Sequence, residues 1–227
     1  MEQQELKRQA AEQAVTLVPN GADIGLGSGS TAEMAIRLLG ERVGQGLRLR
    51  GVPTSERTAR LAREAGIPVV SLEEAPELVL TLDGADEVAP NLDLIKGLGG
   101  ALTREKIVAR ASRMEVILVD SSKLVTTLGE RAPLPVEVLP FGWTRAAAEL
   151  AGMGLRPERR ADQNAPYITD NGNYILHLHT GRISDPPSLD ISIRSVVGVV
   201  ETGLFLGLAG LVLVGSPEGV REMRASG

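Results

Sequence analysis

Four short apolar runs punctuate the first 120 residues: ADIGLG at 22–27, LRLRGV at 47–52, LVLTLD at 78–83 and MEVILVD at 114–120. Runs this apolar are buried on both faces of a sheet rather than on one. Helical spacing fills the gaps between them. Residues 3–18 carry Leu6, Ala10, Ala14 and Leu17 on one face before Pro19-Asn20-Gly21 ends the pattern. Thr31 to about Val43 repeats it with Ala32, Ala35, Ile36 and Leu39, and Thr54 or Ser55 can cap a helix running through Ala65 to Gly66. LTREKIVARASR continues the series after Gly99-Gly100. Strands alternating with helices at this interval predict a parallel sheet covered by helices on both sides.

Beyond Leu128 the character changes. APLPVEVLPFGW holds Pro133, Pro135 and Pro140, which disfavour a central parallel strand and suggest an edge or a crossing between domains. A helix from Thr144 to Ala151, a strand near 154–160, a turn at Asp170-Asn171-Gly172 and the strand NYILHLH follow. Pro186-Pro187 opens another helix, and VVGVVETG reads as a strand. That order predicts a small α+β, ferredoxin-like unit over residues 131–204. LAGLVLVGS is expected to return to the first domain as a strand, and EGVREMR to close the chain as a helix. The expected fold is therefore α/β: a Rossmann-like parallel sheet flanked by helices (residues 1–130 and 205–227) with a smaller domain suited to oligomerisation.

Charge and composition exclude several classes. The formal net charge is -5, with no run of Lys and Arg, so nothing points to nucleic acid. The absence of cysteine excludes disulfides, thiolate nucleophiles and cysteine-held metals. No apolar run approaches the roughly 18 residues of a spanning helix, and MEQQELKRQAAEQAV has no apolar core like that of a signal peptide. A cytoplasmic protein with no membrane partner is expected.

Glycine-rich turns follow the strands, and the chemistry-bearing residues cluster there. In GLGSGSTAEMAI, residues 25–36, there is no lysine for a triphosphate-binding loop, and Ser30 stands where a dinucleotide fingerprint needs its third glycine. What remains is a turn with free backbone N–H groups, the hydroxyls of Ser28, Ser30 and Thr31, and a helix N-terminus, which suits one terminal phosphate. The alternative is a tight turn with Ser30 or Thr31 as an ordinary N-cap. TLDGADEV sets Asp83 at a strand's carboxyl end and Asp86 just beyond Gly84 and Ala85, where ligands of open α/β sheets bind. Two such carboxylates held close would push one of them toward acid–base duty. In KGLGGALTREK, Lys96 lies between Leu94-Ile95 and a glycine turn, placed to face a developing oxyanion. Glu105 follows, flanked by Arg104 and Lys106, which leaves open a solvated charged face. Lys123 follows the fourth strand. His177 and His179 alternate on a strand with no third metal ligand nearby, so a structural or interface role is expected of them.

GSGSTA, DGADE, KGLGGALTREKI, the D-x-S-K form of Asp120 to Lys123, PLPVEVLP and VETGLF together resemble the ribose-5-phosphate isomerase A family, in order and over nearly the whole chain. The resemblance implies an aldose–ketose isomerase that interconverts ribose 5-phosphate and ribulose 5-phosphate without cofactor or metal, acting as a homodimer or higher homo-oligomer. It implies Glu105 as general base, Asp83 and Asp86 as the paired aspartates, Lys96 as the oxyanion-stabilising lysine and Lys123 as a second substrate lysine. Ser28, Gly29, Ser30 and Thr31 correspond to the phosphate loop, and Gly84, Ala85, Gly97, Leu98 and Gly99 to the remaining substrate contacts. Leu98 enlarges a position that can be glycine, and Ser28 replaces a possible threonine. Lys7 is a candidate to complete the phosphate site from the first helix. Two other classes stand beside this one. A sugar-phosphate sensor of the same fold would lack the base, and a dinucleotide enzyme is opposed by Ser30 and by the absence of an acidic residue at the end of LRLRGV.

Overall fold

A computed structural model describes residues 3–163 and 165–224. The chain divides into two compact units, one formed by residues 1–85, 104–124 and 207–227 and the other by 86–103 and 125–206. Residues 1, 2 and 225–227 of the expected sheet domain lie outside the described residues. Among the described residues no helix is long and apolar enough to cross a membrane.

The first unit is built on a six-stranded sheet. Its order across the sheet is Gly219–Arg224, Ala209–Ser216, Glu115–Asp120, Leu80–Asp83, Ala22–Leu26 and Leu49–Pro53. All neighbours run parallel except the edge strand Gly219–Arg224. The apolar alternation decides which face each residue serves. Ile24, Leu26, Leu80, Leu82, Val116 and Leu118 pack on Ala10, Ala14, Ala35, Ile36 and Leu39 of helices Gln3–Val15 and Ser30–Gly44. Val52 and Leu78 instead join Val108 of helix Leu102–Arg110. Both faces are thus covered, as a parallel sheet requires.

The last strand and the domain boundary differ from expectation. EGVREMR is not a helix: Gly219–Arg224 pairs antiparallel with Ala209–Ser216, from Ser216↔Gly219 to Leu211↔Arg224. Six residues cannot repay the cost of nucleating a helix on their own, whereas the open edge of the sheet supplies a full ladder. Residues 86–103 group with the second unit rather than with the sheet domain. The cause is a three-stranded sheet of that unit, in which Leu94–Ile95 lies between Glu87–Val88 and Leu204–Phe205.

The second unit holds a four-stranded antiparallel sheet in the order Val199–Thr202, Leu134–Val138, Tyr174–Leu178, Pro157–Arg159. With helices Trp143–Gly152 and Pro186–Arg194, this is the ferredoxin-like βαββαβ succession. Leu134–Val138 is central despite Pro135, not at an edge. The Pro135 carbonyl accepts from Gly203 N–H at 2.7 Å. In an antiparallel strand a residue's nitrogen faces the same side as its carbonyl, so the missing donor points past the end of Val199–Thr202 and breaks no ladder bond. Glu137 on this strand is fully buried and accepts from the side chains of Thr103, Thr169, Asn171 and Asn173.

Candidate active site

In the first unit the chain leaves Ala22–Leu26 toward Leu49–Pro53 on one side and reaches Leu80–Asp83 on the other. The carboxyl ends of the first and third strands therefore flank the point where the winding direction reverses, the usual crevice for a ligand in such sheets. The expected phosphate loop and Asp83 lie there. Ser28 N–H and Gly84 N–H both donate to Asp83 Oδ1, at 3.0 and 2.7 Å. Asp83 is completely buried.

Ser28 shapes the loop. Its hydroxyl joins a cluster with Thr54 (2.9 Å), Ser55 (2.9 Å) and Thr58 (3.1 Å), and Thr58 in turn donates to the Gly27 carbonyl at 3.0 Å. Ser55 caps helix Glu56–Glu64 by accepting from Thr58 N–H. The sequence offered Thr54 and Ser55 only as caps; their part in holding the first loop comes from the pairing of the first and second strands.

Neither Ser30 nor Thr31 caps the helix that follows. The N-cap is Gly29, with φ 100°, and the helix has no side-chain cap bond among the described residues. Glu33 N–H returns to the Gly29 carbonyl, so the open donors are those of the first turn. Gly29 and Ser30 are exposed and Thr31 is buried. Lys7, from helix Gln3–Val15, donates to Ser30 Oγ at 3.0 Å. A helix N-terminus with an exposed hydroxyl and an ammonium beside it has the chemistry that suits a phosphate.

Lys123 ends a short 3-10 turn, Ser121–Lys123, after strand Glu115–Asp120. Asp120 shapes that turn by accepting from Ser122 N–H at 3.0 Å and from the Ser122 hydroxyl, while Gln3 reaches its other oxygen at 3.2 Å. Burial works to raise the Asp120 carboxyl. The Ser122 and Gln3 hydrogen bonds and the Lys7 charge outweigh it and hold the group below the ordinary carboxylate value. Glu105 is also in this unit and only 4% exposed, so it is not on a solvated charged face.

The second unit carries Asp86, Lys96 and the glycine turn. Lys96 is 2% exposed, with its ammonium 5.3 Å from the centroid of the Phe205 ring. Its backbone N–H donates to the Gly203 carbonyl at 2.9 Å, which ties the turn to the VETGLF segment. Asp86 Oδ2 accepts from Leu98 N–H at 2.9 Å. Leu98 is half-buried and Gly99 exposed. His179 Nε2 lies 3.1 Å from Glu158, and His177 Nε2 is buried without a hydrogen-bond partner among the described residues. No group of three His, Asp or Glu residues able to hold a metal occurs among the described residues.

Residues 50–219 match the family model of ribose 5-phosphate isomerase A (phosphoriboisomerase A). The chain belongs to the ribose-5-phosphate isomerase A family. A ribose-5-phosphate isomerase A of Thermomicrobium roseum is 52% identical over 222 residues, covering 97% of this chain and 94% of that protein. The ribose-5-phosphate isomerase A 1 of Oceanobacillus iheyensis is 50% identical over 220 residues, covering 96% and 98%. Among solved structures, a D-ribose-5-phosphate isomerase in complex with phospho-erythronic acid matches at a TM-score of 0.96 and 41% identity, over 99% of this chain and all of that one. The ribose 5-phosphate isomerase A of Methanocaldococcus jannaschii matches at 0.94 and 42% identity, over 98% of this chain and all of that one. The chain is an aldose–ketose isomerase of this family, and the sensor alternative is not favoured.

Proposed function

We propose that Glu105, Lys96, Asp83 and Asp86 carry the interconversion of D-ribose 5-phosphate and D-ribulose 5-phosphate in this chain. The observation behind this reading is the burial of three ionisable groups borne by two motifs, TLDGADEV and KGLGGALTREK. Asp83 is 0%, Lys96 2% and Glu105 4% exposed. Burying charged groups is costly, and active sites are among the places where proteins sustain that cost.

The reaction needs a base that takes the proton from C2 of the open-chain aldose and returns one to C1. Glu105 is the base, a role that usually contributes about 10²–10⁴-fold. The intermediate is a cis-enediolate whose oxygen charge needs a preorganised cation. Lys96 supplies it from a water-poor setting, with the Phe205 ring alongside. Asp83 and Asp86 open the furanose ring and relay protons between O1 and O2. The phosphate is held by the Gly29–Thr31 turn, Lys7 and Lys123, with Ser28 shaping the turn and Gly84, Ala85, Gly97, Leu98 and Gly99 lining the sugar. Anchoring the far end of the substrate fixes the reacting carbons. A related isomerase that holds phospho-erythronic acid, a phosphorylated sugar acid, supports this class of ligand.

The same reading includes a cytoplasmic location and a homodimer or higher homo-oligomer. Phe141 at 95% and Val197 at 88% exposure supply apolar surface for such contacts. The decisive experiment is washout of C2 deuterium from labelled ribose 5-phosphate, compared between wild type and Glu105→Gln. The variant should lose both exchange and turnover while still binding sugar phosphate. Near-wild-type exchange would overturn the assignment of the base.

A further inference from the structure

The glycine turn Lys96–Gly100 is held from outside by two side chains that no motif reading singles out. Arg160 Nη1 donates to the Leu98 carbonyl at 2.7 Å. Tyr167 Oη donates to the next carbonyl, that of Gly99, at 3.2 Å. The Arg160 guanidinium lies 3.7 Å from the centroid of the Tyr167 ring, so the two donors form one stacked unit. Leu98 is thereby gripped at both ends, its N–H by Asp86 and its carbonyl by Arg160.

The turn needs such a grip. Gly97 and Gly100 have φ of 109° and 89°, and glycine gives the segment little stiffness of its own. A Cβ on Gly100 would lie 2.3 Å from Tyr167 Oη, so the ring occupies the space that a side chain would take. The donors are themselves fixed. Arg160 N–H bonds the Ile175 carbonyl at 2.9 Å, and Tyr167 N–H bonds the Arg160 carbonyl at 3.1 Å. The preceding Arg159 stacks on Trp143 instead, at 4.5 Å. Burial raises the Tyr167 phenol above its ordinary value and keeps it a donor at neutral pH.

We infer that Arg160, braced by Tyr167, is a positioning residue for the isomerase reaction. It fixes Leu98, whose N–H Asp86 holds and which stands two residues after Lys96, so that Asp86 and Lys96 are presented in one geometry. The inference rests on the reading that Lys96, Asp86 and the Gly97–Gly99 turn meet the substrate. A guanidinium suits the task because its planar fork can donate to a carbonyl and stack on a ring at once, which an ammonium does less well.

The test measures kcat and KM for ribose 5-phosphate, with thermal midpoints, in Arg160→Met, Arg160→Lys and Tyr167→Phe, alongside wild type and Glu105→Gln. Misplacing a reacting group by about an ångström costs on the order of 100-fold. Arg160→Met should therefore lose roughly 10- to 100-fold in kcat, with KM within about threefold and the midpoint near wild type. Arg160→Lys should recover part of the loss, and Tyr167→Phe should fall between Arg160→Met and wild type. Should Arg160→Met fail to fold, Arg160→Gln carries the same test. Wild-type kcat in folded Arg160→Met or Arg160→Gln overturns the inference, as does a loss wholly explained by a lowered midpoint. Turnover retained in Glu105→Gln would instead overturn the reading of the site, whatever Arg160 does.

Discussion

The backbone N–H of Ser28 donates to Oδ1 of Asp83 at 3.0 Å, which fastens the first strand's loop to the end of the third strand. The contact depends on Gly27. A Cβ there would lie 2.2 Å from the Asp83 carboxyl carbon and 2.6 Å from its Cα, so the two loops approach closely only over glycine. Gly27→Ala should push Asp83 and the phosphate loop apart. The expected outcome is a loss of kcat/KM on the order of 100-fold and about 1–3 kcal/mol of stability from overpacking. Steady-state kinetics and denaturant melts check both. An Ala variant with wild-type kinetics would show that the loop and Asp83 are not coupled in function.

On the proposed reading, Lys7 serves the phosphate rather than the reacting carbons. Its ammonium is 3.0 Å from Ser30 Oγ, beside a helix end that no side chain caps among the described residues. Lys7→Met keeps the apolar stem and removes the charge. A charge-assisted hydrogen bond is worth about 1.5–3 kcal/mol, so KM should rise roughly 10- to 100-fold while kcat changes little. Inhibition by inorganic phosphate should weaken in parallel. Unchanged phosphate inhibition would place the handle elsewhere.

Much of this was legible in the sequence for a physical reason. The strands around Ile24, Leu82 and Leu118 are continuous apolar runs ended by glycine or a polar turn, so burial on two faces is written locally. Asp83 and Lys96 stand out because they adjoin apolar or glycine positions, whereas Glu105, between Arg104 and Lys106, is marked out only by the family resemblance. Gly219–Arg224 was not legible, since its strand state comes from pairing with Ala209–Ser216 and its composition is that of a helix. Nor was the central place of Pro135, which depends on where the neighbouring strand stops. Arg160 stands in an arginine pair within a polar stretch, and only the fold shows that Arg159 and Arg160 stack on different aromatic rings.

Glu137 has a structural part to play. Its oxygens accept from Thr103 at 2.5 Å, Thr169 at 2.9 Å, Asn171 at 3.2 Å and Asn173 at 2.8 Å, with no exposure to water. Glu137→Gln replaces one acceptor by a donor facing donors. Leaving a buried polar group unsatisfied costs about 1–3 kcal/mol, so the thermal midpoint should fall by several degrees. Thr103 opens the helix Leu102–Arg110 that carries Glu105, so kcat should fall as well. Differential scanning calorimetry with parallel kinetics decides the matter. A variant as stable as wild type would mean the network contributes nothing net.

His177 should set the stability of the chain between neutral and mildly acidic pH. Burial first, and then the charge of Arg160, push its imidazole below the ordinary value of 6.5; His179 acts the same way and Glu158 opposes. The folded chain therefore binds fewer protons at this site than the unfolded chain does. The sign follows: stability is full above about pH 6.5, falls as pH drops through that value, and stops falling below the folded value. The shifted carboxylates, Asp23, Asp120 and Asp185 below 3.8 and Glu73 and Glu130 below 4.5, contribute their own loss only at lower pH. Thermal midpoints measured from about pH 8 to about pH 5 isolate the histidine. His177→Gln should flatten the decline across that window, and an identical decline in the variant would assign the pH dependence to other groups.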